Sequence, residues 1–317
     1  MLMKKILVIG AFGQIGSELV PALRKKYGKE NVVAAWHSKE PGEEAKNVGP
    51  VEHLDCTKKV TLESVVEAYD IDAIYHLASI LSAAGEKNPQ LAYFVNNTCM
   101  YNVLEVAREK KLKRLMVPSS IAVFGHDTPK HNTPNKTILR PSTMYGISKV
   151  HGELLADYYY QKFGLDVRGV RFPGIISNAS PPGGGTTDYA VDIFYYAVKH
   201  KPYTCFLKPD STLPMMYMPD ALKGLMMLAE ADGKRLRHRG DYNLAAFSFS
   251  PAELAAAIKE ELPDFKIEYK PDFRQAIADS WPRSIDDSAA REDWNWKPDY
   301  NLKGMVKDMI AVLSKRL

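Results

Sequence analysis

A four-residue aliphatic run, Ile6-Leu7-Val8-Ile9, stops at Gly10-Ala-Phe-Gly13-Gln14-Ile15-Gly16 and passes directly into amphipathic sequence over 14–27. Few folds use a buried strand that turns on three spaced glycines into a helix. The glycines let the backbone turn tightly, approach a pyrophosphate and pack helix against strand. The helix start then offers free N–H groups and the positive end of its dipole to phosphate. The spacing predicts a dinucleotide turn built from Gly10, Gly13, Gln14, Ile15 and Gly16, against the blander alternative of a structural turn.

The first half repeats this alternation. Strand-like runs fall at 4–10, 31–36, 51–55, 73–79, 114–120 and 166–172, and helical segments at 14–27, 61–70, 89–110 and 145–163. Apolar strands separated by helices predict an α/β fold, a doubly wound parallel (Rossmann) sheet covered on both faces. Right-handed crossovers then bring the strand C-termini to one edge, where ligands of such sheets bind. After 174 the rhythm changes. Helices are expected at 188–200, 219–231 and 302–315, with short strands at 241–246 and 266–270. Ser250-Pro-Ala-Glu253 reads as a capping box opening a further helix to about 262. The expected division is 1–174 as the dinucleotide-binding domain and 175–317 as a smaller α+β lobe, with 201–218 as an alternative return to the large domain.

Composition narrows the function. The chain has 317 residues, 45% hydrophobic and 25% charged, which is ordinary globular usage. The 42 basic and 38 acidic residues leave a net charge of +4, and the clusters Arg24-Lys25-Lys26 and 235–239 are far apart. They read as solvated faces, not as a nucleic-acid track. No apolar run reaches the roughly 18 residues a membrane span needs. Cys56, Cys99 and Cys205 form no CxxC pair and suggest no disulfide framework, which points to a reducing, cytoplasmic setting.

About 20 residues beyond the glycines, an acidic residue would normally bind the adenosine ribose of NAD. Here the sequence is Ala35-Trp36-His37-Ser38-Lys39. Ser38 suits a hydroxyl and Trp36 the adenosine, whereas His37 and Lys39 suit the 2′-phosphate of NADP. Asp55, with Cys56 beside it, is a candidate adenine contact or an ordinary turn aspartate. Leu77-Ala78-Ser79 ends the fourth strand with residues small enough for a cofactor to pass, and His76 reads as a strand histidine.

Tyr145 and Lys149 stand four residues apart, one helical turn on the same face. An ammonium beside a phenol favours the phenolate, so Tyr145 is expected to have a lowered pKa and to act as a general base. Ser120 ends the fifth strand at the same sheet edge, placed to orient a reacting oxygen. Tyrosine runs at 158–160 and 195–196 read as packing or interface residues.

The glycine turn, Ser120 and Tyr145/Lys149 in this order resemble the extended short-chain dehydrogenase/reductase superfamily, supported by 120–125 (SIAVFG) and Arg171-Phe-Pro-Gly174. The segments 81–86 (LSAAGE), 140–146 (RPSTMYG), 185–190 (GTTDYA) and 213–220 (LPMMYMPD) are similar to the short-chain, epimerase-like L-threonine 3-dehydrogenase family. That resemblance implies metal-free oxidation of the C3 hydroxyl of L-threonine by NAD, giving 2-amino-3-oxobutyrate. It implies Tyr145 as base, Lys149 as its partner and Ser120 as the residue positioning the substrate hydroxyl. It further implies Ser82 and Thr186 as substrate contacts, with Thr187 and Asp188 in the same loop, and Ile175 beside the nicotinamide carboxamide. Trp281 closes the pocket or belongs to the core. A homodimer through helices 89–110 and 145–163 is also implied. The family carries an aspartate where this chain has Trp36, which opens the choice between NAD and NADP. The rival readings are a nucleotide-sugar epimerase or dehydratase and a non-catalytic NAD(P)-binding regulator.

Overall fold

The computed structural model describes residues 3–38 and 40–317; Met1, Leu2 and Lys39, the last a candidate 2′-phosphate contact, lie outside the described residues. Six strands form the central sheet: β1 (Ile6–Ile9), β2 (Val32–Trp36), β3 (Val51–His53), β4 (Ala73–His76), β5 (Arg114–Met116) and β6 (Val167–Arg168). Their order is β3-β2-β1-β4-β5-β6, and every neighbouring pair is parallel. The order reverses between β1 and β4, which opens the crevice that binds ligands in such sheets.

Strand β1 shows why the sheet is covered on both faces. Ile6 and Val8 join one apolar cluster with Leu19 and Leu23 of the Gly16–Tyr27 helix, while Leu7 and Ile9 join another with Val103 and Leu104 of the Pro89–Glu109 helix. Each side chain is at most 2% exposed, and each such burial stabilises by about 1.5–3 kcal/mol. That is why the strand reads as a continuous apolar run without alternation.

Two expected strands are each broken. The 114–120 run divides into β5 and a short Ser119–Ser120 strand, on either side of Pro118. Proline has no N–H to continue the ladder, and Ser119–Ser120 pairs with Val170–Phe172 in a separate sheet. The 166–172 run divides at Gly169 in the same way. The 241–246 strand shortens to Tyr242–Asn243, with a further strand at Phe247–Phe249.

In the second half, Gly174–Ile176, Leu213–Tyr217 and Phe247–Phe249 form one small sheet, and Tyr203–Cys205 pairs with Ile267–Tyr269. The Met218–Glu230 helix packs into the cluster that holds Ile6 and Val8. The Pro251–Glu261 helix starts on the expected capping box: Glu253 N donates to Ser250 Oγ at 3.3 Å, and Ser250 N donates to Glu253 Oε2 at 2.7 Å.

The cysteine reading is corrected. Cys56 and Cys99, 43 residues apart, are joined by a disulfide across Cα atoms 5.0 Å apart. Packing of the loop after β3 against the Pro89–Glu109 helix creates this pairing, which no sequence spacing displays. Asn102, on that helix, donates to the carbonyls of Cys56 and Thr57, both at 3.0 Å. Only Cys205 is free, and the case for a reducing compartment built on the cysteines falls. Among the described residues, no helix is long and apolar enough to cross a membrane.

Candidate active site

The glycine turn is sterically enforced. Gly10 has φ +82°, and a Cβ there would meet Ala78 N at 2.8 Å. A Cβ on Gly16 would meet Ala11 Cα at 2.7 Å. Around Gly13 the space is open apart from Gly10 O, 3.4 Å from where its Cβ would lie. Close packing at the flanking glycines and room at the middle one make a cradle that fits a pyrophosphate.

From this turn a cleft of about 130 Å³ runs along the sheet edge. It gathers Gln14, Ile15, Leu77, Ser79, Ser82, Ser120, Tyr145, Lys149, Ile175, Thr186 and Thr187 from the sequence-derived candidates, and Trp281 lines it too. The helix carrying Tyr145 begins at Met144, where Thr143 Oγ1 caps it by accepting from Gly146 N at 3.1 Å. Glu86 accepts from Met144 N at 2.9 Å and ties that start to the Ser82–Gly85 helix. The cap sets Tyr145 in the first turn, facing the cleft. Lys149 donates to Pro118 O at 2.8 Å and lies 5.5 Å from the Tyr145 ring centre.

The electrostatics correct one expectation. Burial pushes the Tyr145 phenol up to about 12, against a lowering contact with the Ser120 hydroxyl. Burial likewise pulls Lys149 down to about 8, opposed by the Glu153 carboxylate. The lowered tyrosine pKa expected from the i,i+4 ammonium is therefore not found in the unliganded fold: desolvation of the phenolate dominates, opposed by the Ser120 hydroxyl.

Opposite the phenol, the Ser82 and Thr186 hydroxyls hydrogen-bond to each other at 3.0 Å. The loop bearing Thr186 is held by Asp188, whose Oδ2 accepts from Gly184 N at 2.7 Å and Gly185 N at 2.8 Å. Ala84 N also donates to Gly184 O at 3.2 Å. Upstream, Ser177 Oγ donates to Glu18 Oε1 at 2.6 Å, and the Ser17 and Ser180 hydroxyls pair at 2.9 Å. These bonds fasten the base of the loop to the helix that follows the glycine turn.

Sequence reasoning missed several cleft residues. Leu81, Pro118, Ile121, Phe172 and Pro173 line it with apolar surface; all but Pro118 lie in the segments that carry the resemblance, but an apolar side chain by itself signals no contact with a ligand. His76, read as a strand residue, does end β4 and also lines the cleft; burial holds its pKa down to about 3, so it is neutral.

A profile of the NAD dependent epimerase/dehydratase family matches residues 6–245. An uncharacterized epimerase/dehydratase of Staphylococcus saprophyticus is 51% identical over 313 residues, covering 98% of this chain and 97% of its own. The chain belongs to the NAD dependent epimerase/dehydratase family. Among solved structures, an L-threonine dehydrogenase from Clostridium difficile is 51% identical with a TM-score of 0.96, covering 100% of this chain and 99% of its own. A monomeric L-threonine 3-dehydrogenase from a metagenome is 46% identical with a TM-score of 0.95, over 98% and 99% of the two chains.

The end of β2 and the turn after β3 carry the remaining sequence-derived candidates. Trp36 closes β2 and packs on His53, ring centres 4.6 Å apart. His37 and Ser38 follow, hydrogen-bonded at 2.9 Å. His37 Nε2 lies 3.9 Å from Asp55 Oδ1, so the two candidate segments come together. Asp55 Oδ1 also accepts from the backbone and hydroxyl of Thr57 at 3.0 and 2.6 Å, which makes it a turn-forming aspartate in the unliganded fold. Cys56, beside it, is committed to the disulfide. None of Trp36, His37, Ser38, Asp55 and Cys56 lines the main cleft.

Proposed function

We propose that the chain oxidises the C3 hydroxyl of L-threonine to 2-amino-3-oxobutyrate, with NAD as hydride acceptor. The observation that carries this reading is the Ser82–Thr186 hydroxyl pair facing Tyr145, Lys149 and Ser120 across one cleft. It agrees with the threonine dehydrogenases among the solved relatives.

Gly10, Gly13, Gln14, Ile15 and Gly16 hold the pyrophosphate, Leu77, Ala78 and Ser79 flank the cofactor's path, and Ile175 lies at the nicotinamide end. Trp36, His37, Ser38, Asp55 and Cys56 border the adenosine end. When bound, the nicotinamide supplies the hydride-accepting carbon. Ser120 positions the substrate hydroxyl and Tyr145 takes its proton. Lys149 stays charged beside the phenol and opposes the penalty of ionising it in a buried site. Ser82, Thr186 and Thr187 offer hydroxyls to the amino acid's ammonium and carboxylate. Holding the alcohol in line with its base removes orientational entropy from the barrier.

A nucleotide-sugar reading needs cations for a substrate diphosphate. Among the described residues lining the cleft, Lys149 is the sole group charged positive at neutral pH, and no arginine is present. Absorbance of reduced nicotinamide on adding L-threonine tests the proposal; conversion of a UDP-sugar without threonine turnover would replace it.

We also propose a homodimer. The Pro89–Glu109 helix exposes Leu91, Tyr93, Phe94 and Tyr101, and the Met144–Phe163 helix packed on it exposes Ile147, Leu154 and Tyr158. Large apolar side chains left exposed on two packed helices suit a subunit interface. Sedimentation of the native chain decides between dimer and monomer.

A further inference from the structure

Trp281 lines the cleft yet is only 6% exposed, because it also belongs to the apolar cluster that holds Ile121 and Tyr145. Leu81 packs against the same cluster and lines the cleft too. Leu81, Ile121 and Trp281 thus make an apolar wall beside the phenol. Two of them come from distant segments: Ile121 from the turn after Ser120, and Trp281 from the end of the Arg274–Ser280 helix.

One side chain outside the cleft ties these two segments together. Lys130, half-buried, donates to Gly125 O at 3.2 Å and to Ser280 O at 2.6 Å. Gly125 closes the short run that begins at Ser120 and Ile121, and Ser280 immediately precedes Trp281. The Ser280 carbonyl is one of the terminal carbonyls that a helix cannot satisfy within itself, so a cation is a favoured partner there. Ser280 is fully buried, which leaves no water to replace the ammonium. Hydrogen bonds from a charged donor are roughly twice as strong as neutral ones.

The chain beyond Trp281 is fastened separately, by backbone. Arg283 N donates to Lys130 O at 2.7 Å, Thr133 N to Ser284 O at 3.0 Å and Asp286 N to Thr133 O at 2.9 Å. Asn243 Nδ2 holds the carbonyls of Thr133 and Asp286, both at 3.0 Å. Loss of the Lys130 ammonium therefore frees the Ser280–Trp281 corner while the strap behind it stays in register.

The oxidised carbon of L-threonine carries four groups. Under the function proposed above, on which this reasoning rests, its hydroxyl meets Ser120 and Tyr145. Its hydrogen leaves for the nicotinamide, and the carbon bearing ammonium and carboxylate turns to Ser82 and Thr186. The methyl group is left for the apolar wall. We infer that Lys130 is a positioning residue for substrate specificity: by joining the Ile121 and Trp281 segments it fixes the size of the alkyl group accepted on the oxidised carbon. Lys130 itself touches neither substrate nor cofactor.

The test compares kcat/KM for L-threonine and for its homologue one carbon longer, 2-amino-3-hydroxypentanoate, with NAD in excess. One methylene in an apolar pocket changes kcat/KM by about 10- to 200-fold, so the wild type prefers threonine by about tenfold or more. Lys130→Met keeps the aliphatic stem and removes the donor; the preference falls by about fivefold, and Lys130→Arg restores most of it. Trp281→Ala lowers the preference by itself, and adding Lys130→Met to it lowers the preference no further, the mark of two residues acting as one. A purely structural role for Lys130 slows both substrates equally and leaves their ratio at the wild-type value, which overturns the inference. So does the same fivefold drop in the Trp281→Ala background. An unchanged ratio in Trp281→Ala alone overturns it as well, even where Lys130→Met fails to fold. A wild type that never reduces the cofactor with threonine defeats the function proposed above, a separate outcome.

Discussion

Asp188 makes a quantitative claim about how substrate is held. Its single Oδ2 atom takes both Gly184 N, at 2.7 Å, and Gly185 N, at 2.8 Å, and so folds the loop that points Thr186 at Ser82. Hydrogen bonds to a charged acceptor contribute about 1.5–3 kcal/mol each, and neutral ones about 1. Asp188→Asn keeps an oxygen in place but removes the charge, so two bonds weaken by about 0.5 kcal/mol or more each. The expected loss of loop order is about 1–2 kcal/mol, a factor of about 5–30. Under the proposed function the loop meets substrate in ground and transition states alike, so this falls on the KM for threonine and leaves kcat nearly unchanged. Burial also lifts the Asp188 carboxyl above the usual carboxylate range. In the wild type, threonine KM therefore climbs as pH falls through that raised value, and the variant loses this limb. Global stability runs the other way: a carboxyl whose folded pKa exceeds its unfolded one costs stability when ionised, so protonating it does not unfold the chain. Steady-state kinetics across pH, with cofactor affinity as control, check the reasoning. A threonine KM within about twofold of wild type would refute it, since the clamp would then contribute less than about 0.5 kcal/mol.

Two further substitutions probe the nucleotide groove and its surroundings. Trp36→Asp restores an acceptor for ribose hydroxyls at the end of β2; it is expected to tighten NAD by about tenfold, one charge-assisted hydrogen-bond pair, and to weaken NADP, as read by titration of intrinsic fluorescence. Cys99→Ala opens a bridge that spans 43 residues; loop-closure entropy for that length predicts a loss of about 4 kcal/mol in denaturant unfolding, and dithiothreitol should reproduce it on the wild type while leaving the variant unchanged.

What the sequence reveals follows from the range of the forces involved. The glycine turn, β1 and the long helices are legible because strand burial and helical period write themselves into neighbouring residues. Ser250 and Glu253 are legible for the same reason, since a capping box is local chemistry. The broken strands at Pro118 and Gly169 are blurred because the apolar run continues across the break while the hydrogen-bond partner changes. Within the site, Tyr145, Lys149, Ser120, Ser82 and Thr186 carry recognisable motifs, and the fold brings all five to one cleft. The Cys56–Cys99 bridge leaves no local trace, because it depends on a loop and a helix meeting after the chain has folded. The raised Tyr145 pKa is hidden for a related reason: a sequence displays the neighbouring lysine, but desolvation is a property of the completed interior.

The account stands on Tyr145 as the group that takes the proton from the alcohol. Tyr145→Phe keeps the buried ring and removes only the hydroxyl. Paired measurements of threonine-dependent kcat/KM and of cofactor affinity by calorimetry give the most direct test. A fall in kcat/KM of about 10²–10⁴, with cofactor affinity unchanged, is predicted. Turnover remaining at wild-type level in this variant would contradict the assignment.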